Sequence, residues 1–209
     1  MTAKADRRPL AVRRAGWAKS LAGALARTPV TPNQISHTGL VAALVAGGCF
    51  WGSGETAGAV RWVLLIGAGM FIQLRLLCNL LDGMVAIEGG KAAPTGAFWN
   101  EVPDRVADIL ILAGAGYGIG EAALGWAAVA TAVLTAYMRQ VGMVLIGKAD
   151  FRGPMAKQHR MALLTIAAIA ACFAGPVALK LALWIVVVGG VVTAVLRGAR
   201  VHEAMRLDS

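Results

Sequence analysis

The sequence predicts an all-α integral membrane protein, six transmembrane helices preceded by an amphipathic interfacial helix. Three observations carry that prediction. The 209 residues are 58% hydrophobic and only 15% charged, with a mean hydropathy of +0.67, far from the balance of a soluble domain. The apolar residues fall into six runs of about 18 to 25, each long enough to cross a hydrocarbon core as a helix. The basic residues, finally, gather in alternate connections rather than spreading evenly.

The predicted spans cover residues 35–53, 59–81, 97–118, 121–146, 160–178 and 180–198. Lys4, Arg7, Arg8, Arg13, Arg14, Lys19 and Arg27 precede the first span; Lys91 lies between the second and third; Lys148, Arg152, Lys157 and Arg160 lie between the fourth and fifth; Arg197, Arg200 and Arg206 follow the sixth. The intervening connections hold little beyond Arg61 and Lys180. Basic residues in short loops stay on the cytoplasmic side, so both termini and the segment 82–96 are expected there. The net charge of +9 is thereby directed at lipid and not at nucleic acid.

The basic N-terminus lacks the short apolar core and small-residue cleavage pattern of a signal peptide and is expected to remain attached. Over residues 8–26, Leu10, Trp17, Leu21 and Leu25 share a helical face, with Arg8 and Lys19 opposite and Arg13 and Arg14 at the flanks. That pattern describes either a helix lying on an anionic leaflet or a basic tail drawn to headgroups. No polar connection exceeds about fifteen residues, too short to fold alone, so residues 1–209 are expected to form one membrane domain. Cys49, Cys78 and Cys172 lie in or beside apolar runs without metal-ligand spacing and read as packed or lipid-facing thiols. The 26 glycines, Gly114, Gly116, Gly118 and Gly120 among them, point to closely approaching helices.

One segment breaks the apolar pattern. Asn79 and Asp82 stand three apart at the end of the second span, while Asn100, Asp104 and Asp108 recur every four residues in the third. On helices each set projects from one face. Two such helix ends joined by the short stretch AIEGGKAAPTG can form a cup of oxygen ligands of the kind hard divalent cations take, and a cation there can bind a diphosphate. Gly83 and Gly96 allow close approach of a ligand or a helix, and Pro103 frees the carbonyl of Trp99. Arg75, one turn before Asn79, is placed to meet a carboxylate or a phosphate.

With these residues the segment resembles the signature of the CDP-alcohol phosphotransferases, D-x-x-D-G-x-x-A-R, eight residues, then G-x-x-x-D-x-x-x-D. The spacing is matched without a gap by Asn79, Asp82, Gly83, Ala86, Ile87, Gly96, Asn100 and Asp104. Asn79 and Asn100 stand where the family has Asp, and Ile87 where it has Arg. The stretches TPNQIS at 31–36 and GPMAKQHR at 153–160 resemble the family's entry to the first span and its basic loop before the fifth.

The resemblance implies a six-helix membrane enzyme, usually a homodimer, whose cytoplasmic site binds Mg2+ or Mn2+, one or two ions, and the diphosphate of CDP-diacylglycerol or a related CDP-alcohol. An alcohol acceptor attacks the β-phosphorus and CMP leaves. Carried over position by position, it makes Asp82, Asn79, Asn100 and Asp104 metal ligands. Asp104 is also the expected base, and Asn79, Gly83, Ala86 and Gly96 are expected at the nucleotide.

Asp108, one turn beyond Asp104, is the expected compensating carboxylate, with Glu88 and Glu101 either joining it or lying on solvated faces. Arg139 reads equally as a phosphate contact or a structural ion pair. Lys157, His159 and Arg160 read as contacts either to an anionic surface or to a phosphate-bearing acceptor. Two other functions remain open at this stage: a catalytically degenerate scaffold that binds nucleotide or lipid, and a small transporter. The transporter requires charges near the bilayer midplane, whereas these cluster at one edge.

Overall fold

A computed structural model describes residues 15–91 and 95–207, apart from the side chains of Ala97 and Asn100. The described residues form seven helices and no strand: α1 (Gly16–Ala26), α2 (Pro32–Gly54), α3 (Gly58–Glu88), α4 (Gly96–Gly118), α5 (Ala122–Ile146), α6 (Lys157–Ala174) and α7 (Pro176–Leu207). Helices dominate because a bilayer leaves no water for unpaired backbone groups. Four of them, α2, α3, α5 and α7, are long and apolar enough to cross a membrane, and the chain is an integral membrane protein. The other two helices expected as spans are more polar at one end: α4 carries Glu101, Asp104, Arg105 and Asp108, and α6 opens on Lys157, Gln158, His159 and Arg160.

Helices α2 to α7 close a ring. In it α3 packs on α2, α2 on α4, α4 on α5, α5 on α7, α7 on α6, and α6 back on α3. Phe50, Leu65, Ile72, Ile111, Leu112, Met161, Leu164 and Leu183 fill the interior. The 31 residues of α3 extend about 46 Å at 1.5 Å per residue, more than the roughly 30 Å hydrocarbon thickness. Its last turns, which hold Asn79 and Asp82, therefore reach the edge of the apolar slab.

Glycines set the spacing of the ring. A Cβ at Gly114 would collide with the backbone of Gly47, one at Gly118 with Phe50, and one at Gly116 with Gly125. Thus α4 is pressed against α2 on one side and α5 on the other. Gly120 has a different role, a turn with φ of +73° in open space. Gly114→Val is expected to destabilise the protein by about 3 kcal/mol, the upper end of ordinary overpacking, as a lower unfolding midpoint in detergent. Gly48→Val, where a Cβ meets nothing within 4 Å, is expected to shift that midpoint little.

Two boundaries differ from the sequence reading. Helix α3 continues through Ala86, Ile87 and Glu88, so the connection begins at Gly89 and not at residue 82; Gly90, at φ of +61°, makes the break. The last two helices divide at Gly175, φ +69°, followed by Pro176, instead of at 178–180. Lys180 sits inside α7, paired with Glu121 at the start of α5. In α1 the face turned to the protein is Ala18 and Ala22, packed on Leu80, Leu81 and Val85, while Trp17 and Leu21 point outward. Leu10, Arg8, Arg13 and Arg14 lie outside the described residues.

Candidate active site between α2, α3 and α4

The cleft is built at the polar edge of the ring. Thr31 caps α2, its hydroxyl accepting from the Gln34 N–H while the Gln34 side chain accepts from the Thr31 N–H, and Pro32 starts the helix. This fixes the first turn, so Ser36 faces α3. From α3 come Arg75, Cys78, Asn79 and Asp82, and from α4 Trp99, Pro103, Asp104 and Ala107; Ser36, Gly39 and Leu40 of α2 complete the lining. The ring of His37 meets Trp99 edge-on at 4.5 Å between centroids.

Asp82 is buried, accepting from Ser36 Oγ at 2.8 Å and from the Gly83 N–H at 2.5 Å. Asp104 is the hub of the cleft. Its Oδ1 accepts from Arg75 Nη2 at 2.6 Å and from Asn79 Nδ2 at 3.0 Å, and its Oδ2 pairs with the Lys157 ammonium. Lys157 also donates to Asn79 Oδ1 at 3.1 Å. Arg75 is buried, and its second nitrogen, Nη1, has no hydrogen-bond partner among the described residues.

Lys157 is held in place by the connection from α5 to α6. Arg160, 2% exposed, donates to Met155 O at 2.9 Å and Thr135 Oγ1 at 3.2 Å, and pairs with Asp108 at 2.7 Å. The Met155 N–H donates to Thr193 Oγ1 at 3.0 Å, and Arg197 donates to Arg152 O and Thr135 O. Asp150 bonds the Arg152 N–H and Arg200. Burial alone would raise its pKa, but the Arg152 N–H and the Arg200 and Arg152 side chains hold it below the usual carboxylate range.

The structure thus brings Arg75, Asn79, Asp82, Asp104 and Lys157 together. Asp108 and Arg160 instead face each other away from the cleft lining, both buried. The side chain of Asn100 lies outside the described residues. Gly83 is buried beside Asp82, Ala86 is half-buried, and Gly96 opens α4. Glu88 and His159 are exposed, with the His159 ring on Pro154 O at 2.9 Å. Glu101 pairs with both Arg105 and Arg139, and the Arg139 guanidinium lies over Phe151. Sequence reasoning did not single out Ser36, Thr135 or Arg197 for a role; Ser36 stands within the TPNQIS stretch, where polar residues at a span entrance are the available signal.

Asp82, Asp104 and the Asn79 amide oxygen are hard oxygen donors, the chemistry Mg2+ and Mn2+ take. Among the described residues no cluster of three or more acidic, histidine or cysteine side chains joins them. Asp104, one of the two carboxylates, is already paired with Arg75 and Lys157.

No family model matches the chain. It is 30% identical over 128 residues to the bifunctional IPC transferase and DIPP synthase of Rubrobacter xylanophilus, covering 60% of this chain and 27% of that protein. It is 29% identical over 195 residues to a phosphatidylinositol phosphate synthase of Streptomyces avermitilis, covering 86% and 75%. A phosphatidylinositol phosphate synthase of Mycobacteroides abscessus is 31% identical over 115 residues, covering 55% and 47%. The chain thus spans about a quarter of the first relative's length and about half of the third's.

Among solved structures, Mycobacterium tuberculosis phosphatidylinositol phosphate synthase with CDP-DAG bound shares the fold at a TM-score of 0.74 and 21% identity, covering 90% of this chain and 94% of that one. The same enzyme with manganese and citrate matches at 0.73 and 21%, over 88% of each chain. An ungapped signature spacing laid across the facing ends of α3 and α4, a shared fold and relatives of this kind lead to one conclusion: over most of its length the chain is similar to phosphatidylinositol phosphate synthases.

Proposed function

We propose that this chain transfers a phosphatidyl group from CDP-diacylglycerol, or a related CDP-alcohol, to an alcohol acceptor in phospholipid synthesis, releasing CMP. The observation that carries the reading is the juxtaposition of Asp82 and Asp104 with a buried Arg75 that has a guanidinium nitrogen to spare, at the edge of the apolar slab. A lipid donor reaches such a cleft from the membrane while its nucleotide stays in water. The relatives named phosphatidylinositol phosphate synthase, and the solved one holding CDP-DAG, support the same class of donor.

In this reading Asp82 and Asp104 would hold Mg2+ or Mn2+, which when bound would neutralise the diphosphate and polarise its phosphorus, while the Asn79 amide bridges Asp104 and Lys157. Arg75 donates to a diphosphate oxygen through Nη1. The acceptor oxygen bonds to the β-phosphorus, the bond from that phosphorus to the bridging oxygen breaks, and CMP leaves with the electron pair; the hydroxyl proton passes to Asp104. Helices α2 to α7 all span the bilayer of a bacterial cytoplasmic membrane as one domain, with the site and both termini inside. The basic residues at that end and only Arg61 and Lys180 at the other support this orientation. The working unit is a homodimer.

A non-catalytic scaffold is the second reading, and one observation favours it: Asp104 is held by Arg75, Asn79 and Lys157 together. The deciding experiment is metal-dependent CMP release from CDP-diacylglycerol by the purified protein, with inositol phosphate, glycerol phosphate, serine and a phospholipid alcohol as acceptors. Acceptor-dependent CMP is the expected result. Nucleotide binding without CMP under any acceptor would transfer the assignment to the scaffold.

A further inference from the structure

The cleft contains a cation of its own. Lys157 Nζ lies between Asn79 Oδ1 and Asp104 Oδ2, two oxygens at signature positions. We propose that the Lys157 ammonium takes one of the two cation positions that the signature's four carboxylates would serve, so that the chain works with a single divalent ion and a built-in protein cation. The inference rests on the reading of this cleft as a diphosphate site.

The Asn79 amide is what makes this arrangement self-consistent. Its Nδ2 donates to Asp104 Oδ1 at 3.0 Å while its Oδ1 accepts from Lys157. With a donor on one side and an acceptor on the other, the amide has only one sensible orientation. An aspartate at this position would set two carboxylates about 3 Å apart, a contact that demands either a shared proton or an intervening cation. Asn79 removes the repulsion, and Lys157 supplies the positive charge at the same place.

The charges agree. With asparagine at 79 and 100 the signature keeps two carboxylates, Asp82 and Asp104, which one divalent ion balances. Lys157 and Arg75 are then left over to face a diphosphate. Two divalent ions added to those side chains would leave a large uncompensated positive charge in a half-buried cleft. Nor is Lys157 a loose side chain that happens to rest there. It begins α6, and the backbone just before it is fastened by Arg160 on Met155 O and by Thr193 on the Met155 N–H, both buried bonds.

The test is a count of bound Mn2+ on the purified full-length protein by paramagnetic resonance, with no lipid substrate present. One ion per chain is expected. Lys157→Met is expected to tighten that ion about tenfold or more by removing a like charge a few ångströms away, whereas Lys157→Arg should leave count and affinity close to the parent. Restoring the acids while removing the ammonium, Asn79→Asp with Asn100→Asp and Lys157→Met, is expected to raise the count to two. Two ions on the unaltered protein, none, or an affinity indifferent to Lys157→Met would each overturn the proposal. A chain that binds one ion but releases no CMP defeats the transferase reading alone; two ions with full turnover defeats this one alone.

Discussion

Asp82→Asn is expected to lower metal-dependent CMP release by about a thousandfold while leaving the fold intact, a loss of about 4 kcal/mol of transition-state stabilisation. The replacement is nearly isosteric, and its amide oxygen still accepts from Ser36 Oγ, so the bond that ties α2 to α3 at 2.8 Å is retained, while the local bond from the Gly83 N–H to the other oxygen is given up. What disappears is one of two negative charges in the cleft. Because Asn79 is already neutral, no signature carboxylate on α3 remains to draw a divalent ion. The measurement is turnover across an Mn2+ titration, beside the unfolding midpoint of the same preparation. Turnover equal to the parent at every Mn2+ concentration would remove Asp82 from the metal site. Asp104→Asn is expected to be as damaging but less clean, since it also leaves Arg75 and Lys157 without their shared partner.

Much of this architecture is written in the sequence because a bilayer allows few solutions. Apolar runs must be helices, and the helix centres follow from them; the ends depend on single residues such as Gly90 and Gly175, whose positive φ no hydropathy window registers. The cleft is legible for a similar reason. Spacings of three and four on two helices joined by a short turn leave Asn79, Asp82 and Asp104 little choice but to face one another.

Partner choice is where the sequence falls silent. Arg75 meets Asp104 across 29 residues and Arg160 meets Asp108 across 52, and nothing in the linear order ranks those pairings above others. Asp108 illustrates the limit of helical spacing as an argument. Four residues advance a helix by about 6 Å and turn it about 40° beyond a full revolution, enough to carry the carboxylate past the cleft and onto α6.

That displacement gives Asp108 and Arg160 the second large expected effect, on stability. Arg160→Met is expected to cost about 3 to 5 kcal/mol, because it strands a buried carboxylate in a dry helix interface. Asp108 is 1% exposed, and among the described residues its Oδ1 has no hydrogen-bond partner, so Arg160 carries its hydrogen bonding. The same change cuts the bond to Met155 O and loosens the start of α6. Asp108→Asn should act in the same direction by leaving Arg160 unpaired. The double variant Asp108→Leu with Arg160→Met is expected to recover a large part of the loss, since an apolar pair of similar volume replaces an ion pair without stranding either charge. Unfolding midpoints of the three variants and the parent in one detergent provide the check. An Asp108→Asn protein as stable as the parent but unable to release CMP would show that Asp108 acts on the reacting groups and not through Arg160.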